Sequence, residues 1–145
     1  MGINLLTKTQ KIMRNGKRAT KGFSNRDMND DTYKLRRAVM TIIYEFKNRY
    51  DIPRQIIRIV DRVHGVKSHD GWHNVIGYAG MGQNYVHIRG DWAEKSRAKL
   101  LPLVAHEICH SVKAIDHDDS CKLMSPIIVD MTEDEVWRAC DKYLK

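Results

Sequence analysis

Apolar residues at positions 35, 39, 42, 43, 46 and 50 recur every three or four residues, which places them on one face of a helix. Asp30 or Asp31 offers an N-cap, and Pro53 marks where the helix has ended. Residues 55–63 then change period: Ile57, Ile59 and Val63 fall on one face while Arg58 and Arg62 take other positions, the pattern of a strand. The polar stretch 66–74 reads as a loop. Two short strands follow, 75–79 and 85–89, separated by the turn-forming run Gly80-Met81-Gly82-Gln83-Asn84.

A second helix starts at Asp91 or Ser96 and runs to about Ala114. Pro102 interrupts its pattern, so the helix either begins near Leu101 or bends there. Thr132-Glu133-Asp134-Glu135 is a capping box, and Val136, Ala139, Cys140, Tyr143 and Leu144 form the apolar stripe of a last helix. The order of helix, strand, two strands, helix, irregular loop and helix predicts a single α+β domain. In it a small mixed β-sheet packs on an N-terminal helix and a second, longer-range helix, with the C-terminal helix following the loop.

Charge changes the picture at one end. Of 25 Lys and Arg, seven stand in residues 1–26 with no acid among them, and the remaining 18 balance 18 Asp and Glu. The chain is thus expected to divide into a basic, flexible tail over 1–30 and a domain over 31–145. Such a tail can contact nucleic acid or another polyanion through phosphates. No stretch approaches the ~20 apolar residues of a membrane span, and the start lacks the apolar core of a signal peptide. These features predict a cytoplasmic monomer with no membrane contact. Cys109, Cys121 and Cys140 are then expected as free thiols.

The candidate chemistry lies in His106-Glu107-Ile108-Cys109-His110. Residues four apart share a helix face, so His106 and His110 can direct two imidazole nitrogens at one ion, with Glu107 beside it as a proton acceptor. Downstream stand Asp116-His117 and Cys121-Lys122-Leu123-Met124-Ser125-Pro126. Two histidines plus Asp116 or His117 would make a three-ligand zinc site, leaving a fourth position for water.

This set, with a later methionine turn, resembles the metzincin clan of zinc metallopeptidases over roughly residues 31–145. It is similar to matrix metalloproteinases in Leu123-Met124-Ser125-Pro126, and to snapalysin-type proteases in having an aspartate, Asp116, where most of the clan has its third histidine. The resemblance implies a zincin fold, a Zn2+ cofactor, Glu107 as general base, and Met124 as a floor beneath the metal. It also implies a protein or peptide substrate held near Pro126 and paired to an edge strand at Tyr85, Val86 and His87. The sequence departs from the clan at Lys113, where a glycine usually lets the chain leave the helix. The register favours Asp116 as third ligand, and a turn one residue longer delivers His117 instead.

His64, His69, His73 and His87, with Asp70, are spaced too loosely for the structural zinc of matrix metalloproteinases and read as surface or hydrogen-bonded residues. Trp72, Trp92 and Trp137 read as packing residues. The competing functions are a zinc-dependent RNA-processing nuclease, which the basic tail would suit but which lacks a use for Glu107, and a non-catalytic binding protein with a zinc-stabilised fold.

Overall fold

The computed structural model describes residues 30–60 and 76–145. The basic tail, the end of the first predicted strand at 61–63, the loop carrying His64, His69, Asp70, Trp72 and His73, and Val75 lie outside the described residues. Helix α1 spans Asp30–Arg49, and strands β1 (Ile56–Val60), β2 (Gly77–Ala79) and β3 (Tyr85–Arg89) follow. Helix α2 (Gly90–Ala93) is a single turn, α3 (Arg97–Lys113) is the long central helix, and α4 (Glu133–Leu144) closes the chain. The described residues thus form a small α+β domain of three strands and four helices.

Helix α1 buries the face its periodicity marked: Val39, Ile42, Ile43, Phe46 and Tyr50 are all in the core. Asp30 and Asp31 are themselves helical, so neither is the expected N-cap. Phe46 meets the ring of Trp137 from α4 at 4.9 Å between centroids, and the Tyr50 hydroxyl donates to Asp141 Oδ1 at 2.6 Å, which fastens the two ends of the described fold together. Arg97 joins the same corner, its guanidinium binding Glu45 of α1 and Glu133 of α4.

The sheet order is β1-β3-β2, with β1 parallel to β3 and β2 antiparallel to it. This corrects the expectation that Tyr85, Val86 and His87 belong to an edge strand. Both rows of backbone groups of β3 are spent on its neighbours, so no peptide can pair with it. The register puts Ile57, Ile59, Val86 and Ile88 on one face together with Gly77 and Ala79. The other face carries Tyr78, Tyr85 and His87, whose rings lie 5.3 to 5.8 Å apart, with the two tyrosine hydroxyls at 3.0 Å.

Helix α3 packs on the first face, where β2 offers only small side chains. It begins at Arg97 after Ser96 and runs through Pro102 without stopping, so it does not start near Leu101. Proline at the sixth helical position removes one N–H, and the carbonyl it leaves unpaired belongs to Ala98, in a turn exposed to water. From Leu100 to Ser111 every residue of α3 is buried. Helix α4 carries the capping box that was expected: Glu135 N donates to Thr132 Oγ1 at 3.2 Å and Thr132 N to Glu135 Oε1 at 3.0 Å. Trp92 and Trp137 are packing residues, each 7% exposed.

Truncating Phe46, which has no exposed surface, to alanine should cost about 3–5 kcal/mol, whereas Tyr44→Ala on the exposed side of the same helix should stay within about 0.5 kcal/mol. Urea unfolding of the two variants measures the difference.

Candidate metal centre

His106 and His110 lie one turn apart on α3, both without exposed surface. Each ring is held from behind by a backbone carbonyl of the chain that follows the helix. His106 Nδ1 contacts Leu123 O at 2.6 Å, and His110 Nδ1 contacts Ile115 O. A carbonyl only accepts, so both Nδ1 atoms carry protons and both Nε2 atoms present lone pairs. Those two Nε2 atoms face each other at 3.0 Å. Two lone pairs at this distance repel unless a cation shares them. Burial and the neighbouring imidazoles hold the pKa of His106 well below the usual histidine range, and burial with His117 pushes that of His110 down to about 3, so a proton is a poor candidate for that cation.

His117 completes the group. Its ring centroid lies 5.3 Å from that of His106 and 5.1 Å from that of His110, and the three residues can each offer an atom within 4.8 Å of the others. A tetrahedral ion with Zn–N bonds of 2.0–2.1 Å would hold its nitrogens about 3.3 Å apart. The donor set, the orphaned lone pairs and the unpartnered, buried His117 Nε2 all fit a metal ion.

Asp116 is exposed and lies outside this group; its carboxylate, with that of Asp119, acts on the His117 ring from a distance, opposing the stronger effect of burial that pushes its pKa down to about 4. The cause is the helix exit. As the departure from the clan's glycine at Lys113 led one to expect, the exit differs: Lys113 is still helical, and the capping residue Ala114 is the left-handed one, at φ 54 and ψ 35. The chain leaves one residue late, and His117 arrives where the register had favoured Asp116. Ala114 N bonds His110 O at 3.1 Å and Ile115 N reaches Cys109 O at 3.3 Å, which turns the Ile115 carbonyl back onto His110.

Two other segments fix the site. In the loop after His117, Asp118 N donates to Met124 O at 2.9 Å, and Cys121 N to Asp118 O at 3.0 Å. This presents the Leu123 carbonyl to His106, while Met124 is fully buried and Pro126 half-buried. On the other side, the β2–β3 turn caps α3: Gly82 N donates to His110 O at 2.9 Å and Asn84 N to Ser111 O at 3.2 Å. Gly82 has φ 70, the left-handed conformation that suits glycine. Buried Gln55 ties this turn to the helix, accepting from Ser111 Oγ at 2.5 Å and donating to Asn84 Oδ1 at 3.2 Å.

Glu107 is fully buried on α3, and neither carboxylate oxygen has a hydrogen-bond partner among the described residues. Burial pushes its pKa well above the usual carboxylate range. What admits it is Gly77: a Cβ there would stand 2.8 Å from Glu107 Oε2 and 2.9 Å from Leu103 Cδ1. The sequence reading passed over Gly77, although a glycine inside a strand is itself a signal of close approach by another group. Val86 and His87, expected to bind substrate, are buried in β3, and Tyr85 is half-buried on the opposite face of the sheet from Gly77. Burial, with Arg58 adding to it, pushes the His87 pKa down to about 3.

The three cysteines are free thiols. Cys109 and Cys140 are buried, and the partly buried Cys121 stands outside the metal group. Among the described residues no helix is long and apolar enough to cross a membrane. Neither the family models nor the curated proteins contain a match to this chain.

Two measurements check this geometry. Ala114→Gly should be stabilising by about 1 kcal/mol, since it relieves a left-handed alanine, while Lys113→Gly should cost about 1 kcal/mol as a helical residue; urea midpoints of both variants report the sign. In Zn2+ or Co2+ titrations, His117→Ala should weaken affinity about 100-fold or more, and Asp116→Ala by less than about tenfold.

Proposed function

We propose that this chain is a zinc-dependent endopeptidase of metzincin-like type. The observation that carries the reading is the pairing of a three-histidine group with a buried, unpartnered carboxylate one residue away on the same helix. A site meant only to brace a fold wants four protein ligands, and the group among the described residues offers three. The mixed sheet, the central helix and the buried Met124 in the loop after the histidines are also what a metzincin-like scaffold would require.

His106, His110 and His117 would hold the ion. With zinc held by these residues, the site would gain an acidified water and a means of polarising a carbonyl. The chain's own part in the reaction falls to Glu107. With no hydrogen bond to stabilise its charge, this carboxylate binds a proton more readily than an exposed glutamate does. It accepts the proton of the attacking water and delivers it to the nitrogen of the departing amine. Gly77 leaves room for the carboxyl, and the carbonyls of Leu123 and Ile115 keep the two imidazoles aimed while the proton moves. An RNA-processing nuclease would have no role for a buried carboxylate at this position.

Glu107→Gln preserves shape and removes the proton acceptor. Purified chain with this substitution should keep about one metal per molecule by elemental analysis while hydrolysis of a denatured protein substrate falls by about 10²–10⁴-fold. Retained hydrolysis at the parent rate would sink the peptidase reading.

A further inference from the structure

We propose that the outer face of α1 is a docking surface for single-stranded nucleic acid. Four large hydrophobic side chains are markedly exposed among the described residues, and two of them, Tyr33 at 51% and Tyr44 at 56%, stand on this one helix. With Arg37, Met40 and Lys47 they follow the spacing 33, 37, 40, 44, 47, alternately four and three residues apart, which is a single stripe along the helix. Val39, Ile42, Ile43 and Phe46 take the buried side; Tyr33, Arg37, Tyr44 and Lys47 of the stripe are exposed, while Met40 between them is partly buried against the core.

From residue 33 onward the exposed charges along this stripe are of one sign, with Asp30 one turn ahead of Tyr33 at the start of the helix. Between residues 33 and 47 the only acid is Glu45, and both of its oxygens are taken by the Arg97 guanidinium, at 2.5 and 2.9 Å. Lys34, Arg37 and Lys47 are exposed, and among the described residues none of them forms an ion pair. The Arg37 guanidinium lies 5.6 Å from the centre of the Tyr33 ring, so a cation and an aromatic face are already held side by side. The seven cations of residues 1–26 precede this helix in the chain.

Aromatic rings interleaved with exposed cations suit a ligand that has both flat faces and phosphates. Tyr33 and Tyr44 are about 16 Å apart along the helix axis, the span of roughly five stacked nucleotides at about 3.4 Å each. A single strand can turn its bases onto the two rings while its phosphates meet Lys34, Arg37 and Lys47. A duplex keeps its bases stacked inside and gains only the phosphate contacts.

Fluorescence anisotropy of the full chain with dye-labelled dT20 tests the proposal without reference to the metal site. At low salt the parent should bind. Tyr33→Ala with Tyr44→Ala should weaken binding about 100-fold, near tenfold for each lost stack, with an unchanged urea midpoint, and the double Phe variant should stay within about threefold. Arg37→Gln with Lys47→Gln, which keeps both rings, should reduce the salt slope by about 1.4. No binding by the parent, binding insensitive to the two tyrosines, an unchanged salt slope, or a heparin fragment bound with the same tyrosine dependence would each overturn it.

Discussion

Two imidazole nitrogens aimed at each other across 3.0 Å, each with its lone pair inward, set the terms for the rest of this structure. Left alone, the rings would rotate apart or take up a proton. They are prevented from rotating by Leu123 O and Ile115 O, and burial opposes the proton. Both carbonyls come from irregular chain after α3, so the folding of that loop is a condition for the site. The loop in turn depends on the Asp118 to Met124 backbone bond and on Leu123 and Met124 reaching the core.

The same constraint explains why α3 is placed so deeply. A ligand pair on a surface helix would be solvated and its rings free to move. Here all residues from Leu100 to Ser111 are buried, and β2 meets the helix with Gly77 and Ala79 in place of larger side chains. The cost is a carboxylate, Glu107, buried with no partner among the described residues, and a group of this kind is destabilising to the fold.

Much of this was legible in the residues. The periodicity of α1, the capping box of α4 and the pairing of His106 with His110 follow from local rules, because each depends on neighbours within one or two helical turns. Strand order does not. Three short strands with similar alternation carry no information on which is central, and β3 took that place by pairing in parallel with β1 across a long connection. Pro102 misled because proline rules weigh the lost bond, and here the orphaned carbonyl of Ala98 is open to water. The third ligand turned on one residue: whether the left-handed position falls at 113 or at 114 shifts everything after it. No propensity favours an alanine there, so only the contacts of the completed loop, Ile115 against Cys109 and His110, decide it.

His117, the third member of the histidine group, differs from the other two in how it is supported. His106 and His110 sit on a rigid helix with their outer nitrogens fixed by carbonyls. His117 sits on the loop, is only partly buried, and stands near the carboxylates of Asp116 and Asp119. Those acids bear on its ring by charge, a weaker tether than a hydrogen bond to a fixed backbone atom. The ion would therefore be held by two preorganised ligands and one adjustable one. Any adjustment of the group to an ion would fall on the loop from Ile115 to Asp119, since the helix cannot move without carrying the core with it.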